Sequence, residues 1–247
     1  MDEFSGSVVE LRAEARRRED IGDPQWTVGA VIPRAVVESV QRFQVGEAGD
    51  GANLIAKAAG EGDYSVAVRL FVAEEQNHAR MLALLLDAAG ASTIASHWSD
   101  VVFVRLRRAL GLRVELLVLM VAEVVALGYY RLLRDGTGDP LVTEVAGRIL
   151  ADEERHVPFH CRRLRKAFAG LPALVRPVVF GVWRVLLFGA SLVVAYDHGP
   201  ALRVLGTTRR GFVVEVNRLF AEVLAAEFPS RRILLAGNGK ADHRPVG

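Results

Sequence analysis

Four glutamates, each set within an apolar helical stripe, constrain the fold of this chain more than any other feature. They are Glu47, Glu75, Glu123 and Glu153. The stripe around Glu75 contains Val68 and Leu82 at helical spacings, which predicts that its carboxylate faces a core. Unpaired carboxylates are costly to bury, and no lysine lies on these faces. We therefore expect four helices to bring the glutamates together around bound cations.

Two of these glutamates belong to the same short motif, Glu-x-x-His. Glu75 precedes His78, and Glu153 precedes His156. Residues three apart share one face of a helix, so each pair can bind the same ion. Four carboxylates and two imidazoles match two divalent cations, and these donors suit iron or manganese. The single cysteine, Cys161, excludes a cysteine-ligated zinc or rubredoxin-type iron site.

The spacing of the glutamates indicates how they meet. Glu47 and Glu75 are 28 residues apart, with glycines near the midpoint. Glu123 and Glu153 are 30 apart, again with glycines between them. In an antiparallel helical hairpin, residues equidistant from the turn lie at the same height. The 48 residues from Glu75 to Glu123 leave room for a crossover along the bundle. All six candidate ligands can then meet at the middle of one bundle.

Helical periodicity dominates the chain and strand-like alternation is nearly absent, which predicts an all-α fold. Turn signals place helices at about 7–20, 33–59, 63–89, 108–134, 140–169 and 208–228. We expect the first of these to be a solvated, charged helix. The predicted domains are an N-terminal helical appendage (1–30), a four-helix bundle (31–170), a C-terminal helical extension packed on the bundle (171–236) and a disordered tail (237–247).

The apolar stretch 178–196 is almost long enough to span a bilayer but carries Arg184 near its middle. Two interpretations remain open at this point: a buried or homodimer-interface helix, and a peripheral membrane contact. The N-terminus has acids and no apolar segment, so we expect a cytoplasmic protein. The net charge of +2 is too small to indicate a nucleic-acid partner, so none is expected.

The order Glu, Glu-x-x-His, Glu, Glu-x-x-His, spanning about residues 33–169, resembles the ferritin-like di-iron carboxylate superfamily. The short hairpin spacings are most similar to its aldehyde-deformylating oxygenase and quinone-hydroxylase members. The resemblance implies a ferritin-like four-helix bundle with a long crossover between helices two and three, plus additional N- and C-terminal helices. It also implies two iron ions on the six residues, although manganese or a mixed manganese and iron pair suits the same donors.

The resemblance extends to acids behind the histidines. It implies that Asp152 holds the ring nitrogen of His78 and that Glu74 does the same for His156, with a solvent-facing Glu74 as the alternative. Two further residues lie close by in sequence. His160 is a candidate ligand, proton donor or core histidine, and Tyr130 is a candidate ligand-contacting, radical-forming or packed aromatic residue. No catalytic residue beyond the metal ligands is predicted.

The expected function is that of a non-haem di-iron oxygenase or oxidase that uses dioxygen to oxidise a small hydrophobic substrate. A fatty aldehyde, an acyl chain and a quinone are the substrate classes that the resemblance and the apolar interior favour. The chain carries no ferredoxin or flavin domain, so an external ferredoxin or reductase is the expected electron donor. Two alternatives use the same ligands: a ferroxidase or iron-handling ferritin-like protein, and a manganese catalase.

Overall fold

The structure is a computed structural model that describes residues 3–108, 111–172 and 174–228. Helices without any strand make up this described part, which confirms the all-α prediction. The helices are α1 (Ser5–Ile21), α2 (Arg34–Glu47), α3 (Ala52–Ala58), α4 (Asp63–Ala88), α5 (Trp98–Arg108), α6 (Leu112–Gly136), α7 (Pro140–Ala169), α8 (Val175–Asp197), α9 (Gly199–Val204) and α10 (Arg209–Glu227). The tail predicted at 237–247 lies outside the described residues.

Helices α2, α3, α4, α6 and α7 form the bundle that positions the site, and α6 and α7 share its most extensive contact. A turn of three residues joins these two helices, so they run antiparallel as neighbours. Asp139 begins α7 because its Oδ1 accepts hydrogen bonds from the backbone N–H groups of Leu141 (2.9 Å) and Val142 (3.1 Å). Pro140 occupies the first helical position, where its missing N–H costs no hydrogen bond.

The single helix predicted at 33–59 is wrong, because the chain breaks it in two. Helix α2 ends at Glu47 and α3 begins at Ala52. Gly51 adopts φ +61°, a left-handed conformation that other residues rarely adopt. A Cβ atom on Gly51 would also lie 2.5 Å from Val72 Cγ2. The glycines between the two helices therefore allow a close approach to α4 that a continuous helix would prevent.

Helix α1 packs along α4 and does not stand free in solvent as the sequence suggested. Its buried residues include Val8 and Leu11, and Phe4 at its N-terminal end is also buried. These residues share one helical face, so α1 has a narrow apolar stripe although most of its residues are charged or polar. The crossover between α4 and α6 likewise contains more structure than expected, because α5 occupies about half of it and packs on α6.

Helix α8 packs on α6 and α10 through one face only. Trp183 lies at the centre of that contact and donates its Nε1–H to the carbonyl oxygen of Leu117 at 3.0 Å. Within the described residues, two helices, α6 and α8, have the length and apolar composition to cross a membrane. The apolar window of α6 is 78% buried, but that of α8 is only 22% buried. Helix α6 is thus a core helix, whereas α8 keeps an exposed apolar face that includes Val185 and Tyr196.

Candidate metal centre

The structure brings all six predicted ligands together in the middle of the bundle. Glu47 is the last residue of α2, Glu75 and His78 come from α4, Glu123 from α6, and Glu153 and His156 from α7. Their donor atoms form two groups in which all atoms lie within 4.8 Å of one another. One group is Glu47, Glu75, His78 and Glu153, and the other is Glu75, Glu123, Glu153 and His156. Glu75 and Glu153 belong to both groups, so they are placed to bridge two ions.

The ring nitrogens that face this centre lie among carboxylate oxygens. His78 Nδ1 is 3.4 Å from Glu153 Oε1 and 3.5 Å from Glu75 Oε1. His156 Nδ1 is 3.2 Å from Glu75 Oε1 and 3.5 Å from Glu123 Oε2. Two donor sets of similar composition therefore lie side by side, each with one histidine, one glutamate of its own and the two shared glutamates.

Several buried atoms at the centre have no hydrogen-bond partner within the described part of the chain. They are Glu75 Oε1, His78 Nδ1, Glu123 Oε2, Glu153 Oε2 and His156 Nδ1. Buried polar atoms are nearly always paired in proteins, so a cluster of unpaired ones needs an explanation. Because all five are possible metal donors and converge on one space, bound cations would satisfy them together.

The far ring nitrogen of each histidine contacts a carboxylate from the opposite helix. His78 Nε2 lies 3.0 Å from Asp152 Oδ2, and His156 Nε2 lies 2.9 Å from Glu74 Oε2. With the proton on Nε2, each histidine donates to its acid and turns the Nδ1 lone pair towards the centre. Both pairings agree with those that the family resemblance implied. Glu74 is only 1% exposed, so the solvent-facing alternative for this residue is excluded.

Two arginines that the sequence analysis did not predict lie behind these acids. Arg18 of α1 donates to Glu74 Oε1 at 2.6 Å and lies 3.4 Å from Asp152 Oδ1. Arg155 also donates to Asp152. The sequence signal for Arg18 was its position seven residues after Leu11, on the face of α1 that packs on α4. The two arginines balance the two outer acids, which leaves the four inner carboxylates to balance two divalent ions.

Burial and mutual repulsion set the protonation of the centre without metal. Burial, and then repulsion between carboxylates, raises the pKa of Glu47 and of Glu123 well above its usual value. Burial opposes ionisation of Glu153 too, but the two neighbouring histidines outweigh it and lower its pKa. Burial likewise opposes protonation of His78 and His156, yet hydrogen bonds to carboxylates raise the pKa of each. These shifts favour protons on Glu47, on Glu123 and on the two histidines, and bound cations would displace those protons.

Tyr130 and His160 flank the two ends of the centre. The Tyr130 hydroxyl donates to Glu47 Oε1 at 2.7 Å, so this residue orients a proposed ligand. His160 Nε2 lies 3.7 Å from Glu123 Oε1, and neither ring nitrogen has a hydrogen-bond partner in the described residues. Burial lowers the His160 pKa to about 3, so this imidazole is neutral near neutral pH. His160 belongs to neither donor group.

A second buried polar cluster lies on the α2 side of the bundle. Ser39 Oγ is 2.7 Å from His198 Nδ1 and 2.9 Å from the Tyr129 hydroxyl. The Phe43 ring stacks on Tyr129 with centroids 3.6 Å apart. No role was predicted for His198 from the sequence, because a local pattern does not indicate a contact between residues 159 positions apart. This cluster ties α2 to α6 and to the C-terminal helices.

The donor set fits a pair of divalent ions of the iron or manganese type, since it offers carboxylate oxygens and imidazole nitrogens without thiolate. No protein-family model, curated protein or solved structure matches this chain. The geometry of the centre must therefore carry the functional argument.

Proposed function

We propose that this chain is a non-haem di-iron enzyme with the four-helix architecture of ferritin-like proteins, an oxygenase or oxidase that uses dioxygen to oxidise a small, largely apolar substrate. The observation that carries the proposal is the pair of adjacent donor groups that share Glu75 and Glu153. Two reduced iron ions bound there would supply the electrons that activate dioxygen.

The protein residues would hold the ions and orient their ligands. Asp152 and Glu74 fix the two histidine rings by accepting from Nε2. Tyr130 holds Oε1 of Glu47, which leaves the other oxygen of that carboxylate facing the centre. Apolar side chains such as Phe71, whose ring packs edge to face with that of His156 at a centroid distance of 4.7 Å, cover the histidine side. These contacts preorganise the centre before any cation binds.

An external electron donor is part of the proposal. The chain contains a single cysteine, Cys161, which is buried, so it cannot build a cysteine-ligated iron–sulfur cluster of its own. A ferredoxin or a reductase would therefore deliver electrons, which is compatible with a cytoplasmic protein. Iron handling and manganese catalase chemistry are the alternatives that the same donor set allows.

Oxygen consumption by the iron-loaded protein tests the proposal. We expect uptake of dioxygen that depends on a reductant and rises when an apolar substrate is added. Glu153→Ala removes a shared donor and should abolish this uptake. Glu154→Ala is the matched control. Glu154 is next to Glu153 in sequence, but its side chain is 51% exposed and belongs to neither donor group. Oxidation of many ferrous ions per chain without a substrate would instead indicate a ferroxidase, and peroxide disproportionation by the manganese form would indicate a catalase.

A further inference from the structure

A cavity of about 550 Å³ lies beside the candidate metal centre and reaches Glu47 and Glu75. Glu75 is the most exposed of the six proposed ligands, with 19% of its side chain open, against 9% or less for the other five. The centre is therefore accessible from this cavity. Its volume lies within the range of about 300–1,000 Å³ that is typical of small-molecule sites.

The break between α2 and α3 creates this cavity. Because α2 ends at Glu47 and α3 begins at Ala52, glycine backbone forms part of the wall where a continuous helix would place side chains. A Cβ atom on Gly46 or Gly49 would meet no atom within 4 Å. These two glycines thus line open space, and larger residues there would fill the cavity without a clash at Cβ.

Apolar side chains from the surrounding helices and the crossover also line the cavity. They include Val45, Leu54, Phe71, Ile94, Phe103 and Leu119. The ionisable residues among the described wall are acidic: Glu47, Glu75, Asp50 and Asp100. Within the described part of the chain, no lysine, arginine or histidine lines the cavity. A bound anion would therefore find more carboxylates than cations among the described residues of the wall.

We propose that this cavity is the substrate site and that it selects an uncharged, largely apolar molecule over the corresponding carboxylate. The inference rests on the proposed function. Four inner carboxylates would balance the charge of two divalent ions, so little positive charge would remain to receive an anion. An anion would lose hydration and meet the carboxylates of the described wall, whereas an apolar chain gains contact with its apolar side chains. The uncharged polar end of the molecule would lie beside Glu47 and Glu75.

Binding of two matched probes, 1-decanol and decanoate, tests this proposal on the manganese-loaded protein by titration calorimetry. The probes share a chain length and differ at the head group. We expect 1-decanol to bind at least about tenfold more tightly than decanoate, because the uncompensated anion is disfavoured. Gly46→Leu should weaken 1-decanol binding by about tenfold or more, because the added side chain fills the cavity.

Gly6→Leu is the matched control, since Gly6 is also exposed on a helix with no atom within 4 Å of an added Cβ, but lies in α1 away from the cavity. It should leave 1-decanol binding unchanged. Equal affinity for both probes, no saturable 1-decanol binding, or equal binding by Gly46→Leu and the wild type would overturn the proposal. Manganese content is measured on the same samples. If the protein holds two manganese ions per chain and one of these contrary binding results is found, only the proposed substrate site is refuted. If the wild-type protein binds no metal, the proposed function is refuted as well.

Discussion

Replacing Glu123 by glutamine should stabilise the metal-free protein and destabilise the metal-loaded one relative to the wild type. Glu123 is 3% exposed, and its Oε2 has no hydrogen-bond partner in the described part of the chain. Burial, followed by repulsion from Glu153 and Glu75, raises its pKa. A carboxyl group whose pKa is higher in the folded state than in the unfolded state weakens the fold above the unfolded value. Each pKa unit corresponds to about 1.4 kcal/mol.

The neutral glutamine has the same shape and removes this cost. We expect Glu123→Gln to raise the free energy of unfolding of the metal-free protein by about 1–3 kcal/mol at pH 7. For a chain of this size, each kcal/mol raises Tm by about 2–4 °C. With metal at 100 times Kd, each occupied site stabilises the fold by about 2.7 kcal/mol. Metal at both sites should stabilise the wild type. The variant should lack the stabilisation from the site that contains Glu123.

Thermal and urea unfolding, measured with a chelator and then with excess manganous ion, would show this reversal. Glu10→Gln makes the same chemical change on the exposed surface of α1 and should match the wild type under both conditions. A Glu123→Gln protein that is less stable than the wild type without metal, and that gains as much from metal, would refute the reasoning.

Four further outcomes are expected. Asp152→Asn should weaken metal binding by about 10–100-fold in a titration, because a neutral amide oxygen accepts from the His78 ring more weakly than the carboxylate does; unchanged affinity would contradict this role. His198 has its pKa lowered to about 3 by burial, so the unfolded chain takes up a proton below about pH 6.5 that the folded chain does not. This proton uptake lowers the free energy of unfolding of the wild type by about 2 kcal/mol between pH 7 and pH 5. In urea unfolding, the His198→Asn variant should not show this decrease. Gly51→Ala should destabilise the fold by about 1–3 kcal/mol in the same assay, because φ is +61° and Val72 blocks the added methyl group. Asp139→Ala should cost about 1 kcal/mol through loss of the α7 N-cap, and equal urea midpoints would exclude that contribution.

The sequence contained enough information to predict the helices that carry the ligands. The bounds predicted for the fourth bundle helix, 140–169, coincide with α7, because Asp139, Pro140 and Gly170 mark both ends with local chemistry. Convergence of the four glutamates also followed from local pattern, since helical spacing and distance from the turns are properties of the sequence itself. The identity of the metal, the substrate and the electron donor stay predictions.

Other features depend on tertiary contacts that no local pattern reports. The apolar spacing of Phe43, Leu54 and Ile55 suits one continuous helix, so the break at 48–51 was missed although its glycines were visible. Arg18 lies in a run of charged residues that resembles a solvated helix, and only its packing on α4 makes it the partner of Glu74. Local periodicity cannot show which charged face is covered by another helix.

Metal content is the measurement that tests the central claim most directly. The wild-type protein, stripped of metal and reconstituted anaerobically with ferrous ion, should contain two iron ions per chain by elemental analysis. Glu75→Ala removes a donor that both groups share and should bring the content below one ion per chain, while exposed Glu10→Ala should retain two. Absence of stoichiometric iron or manganese in the folded wild type would contradict the dimetal centre. Equal content in Glu75→Ala would show that the ions bind elsewhere.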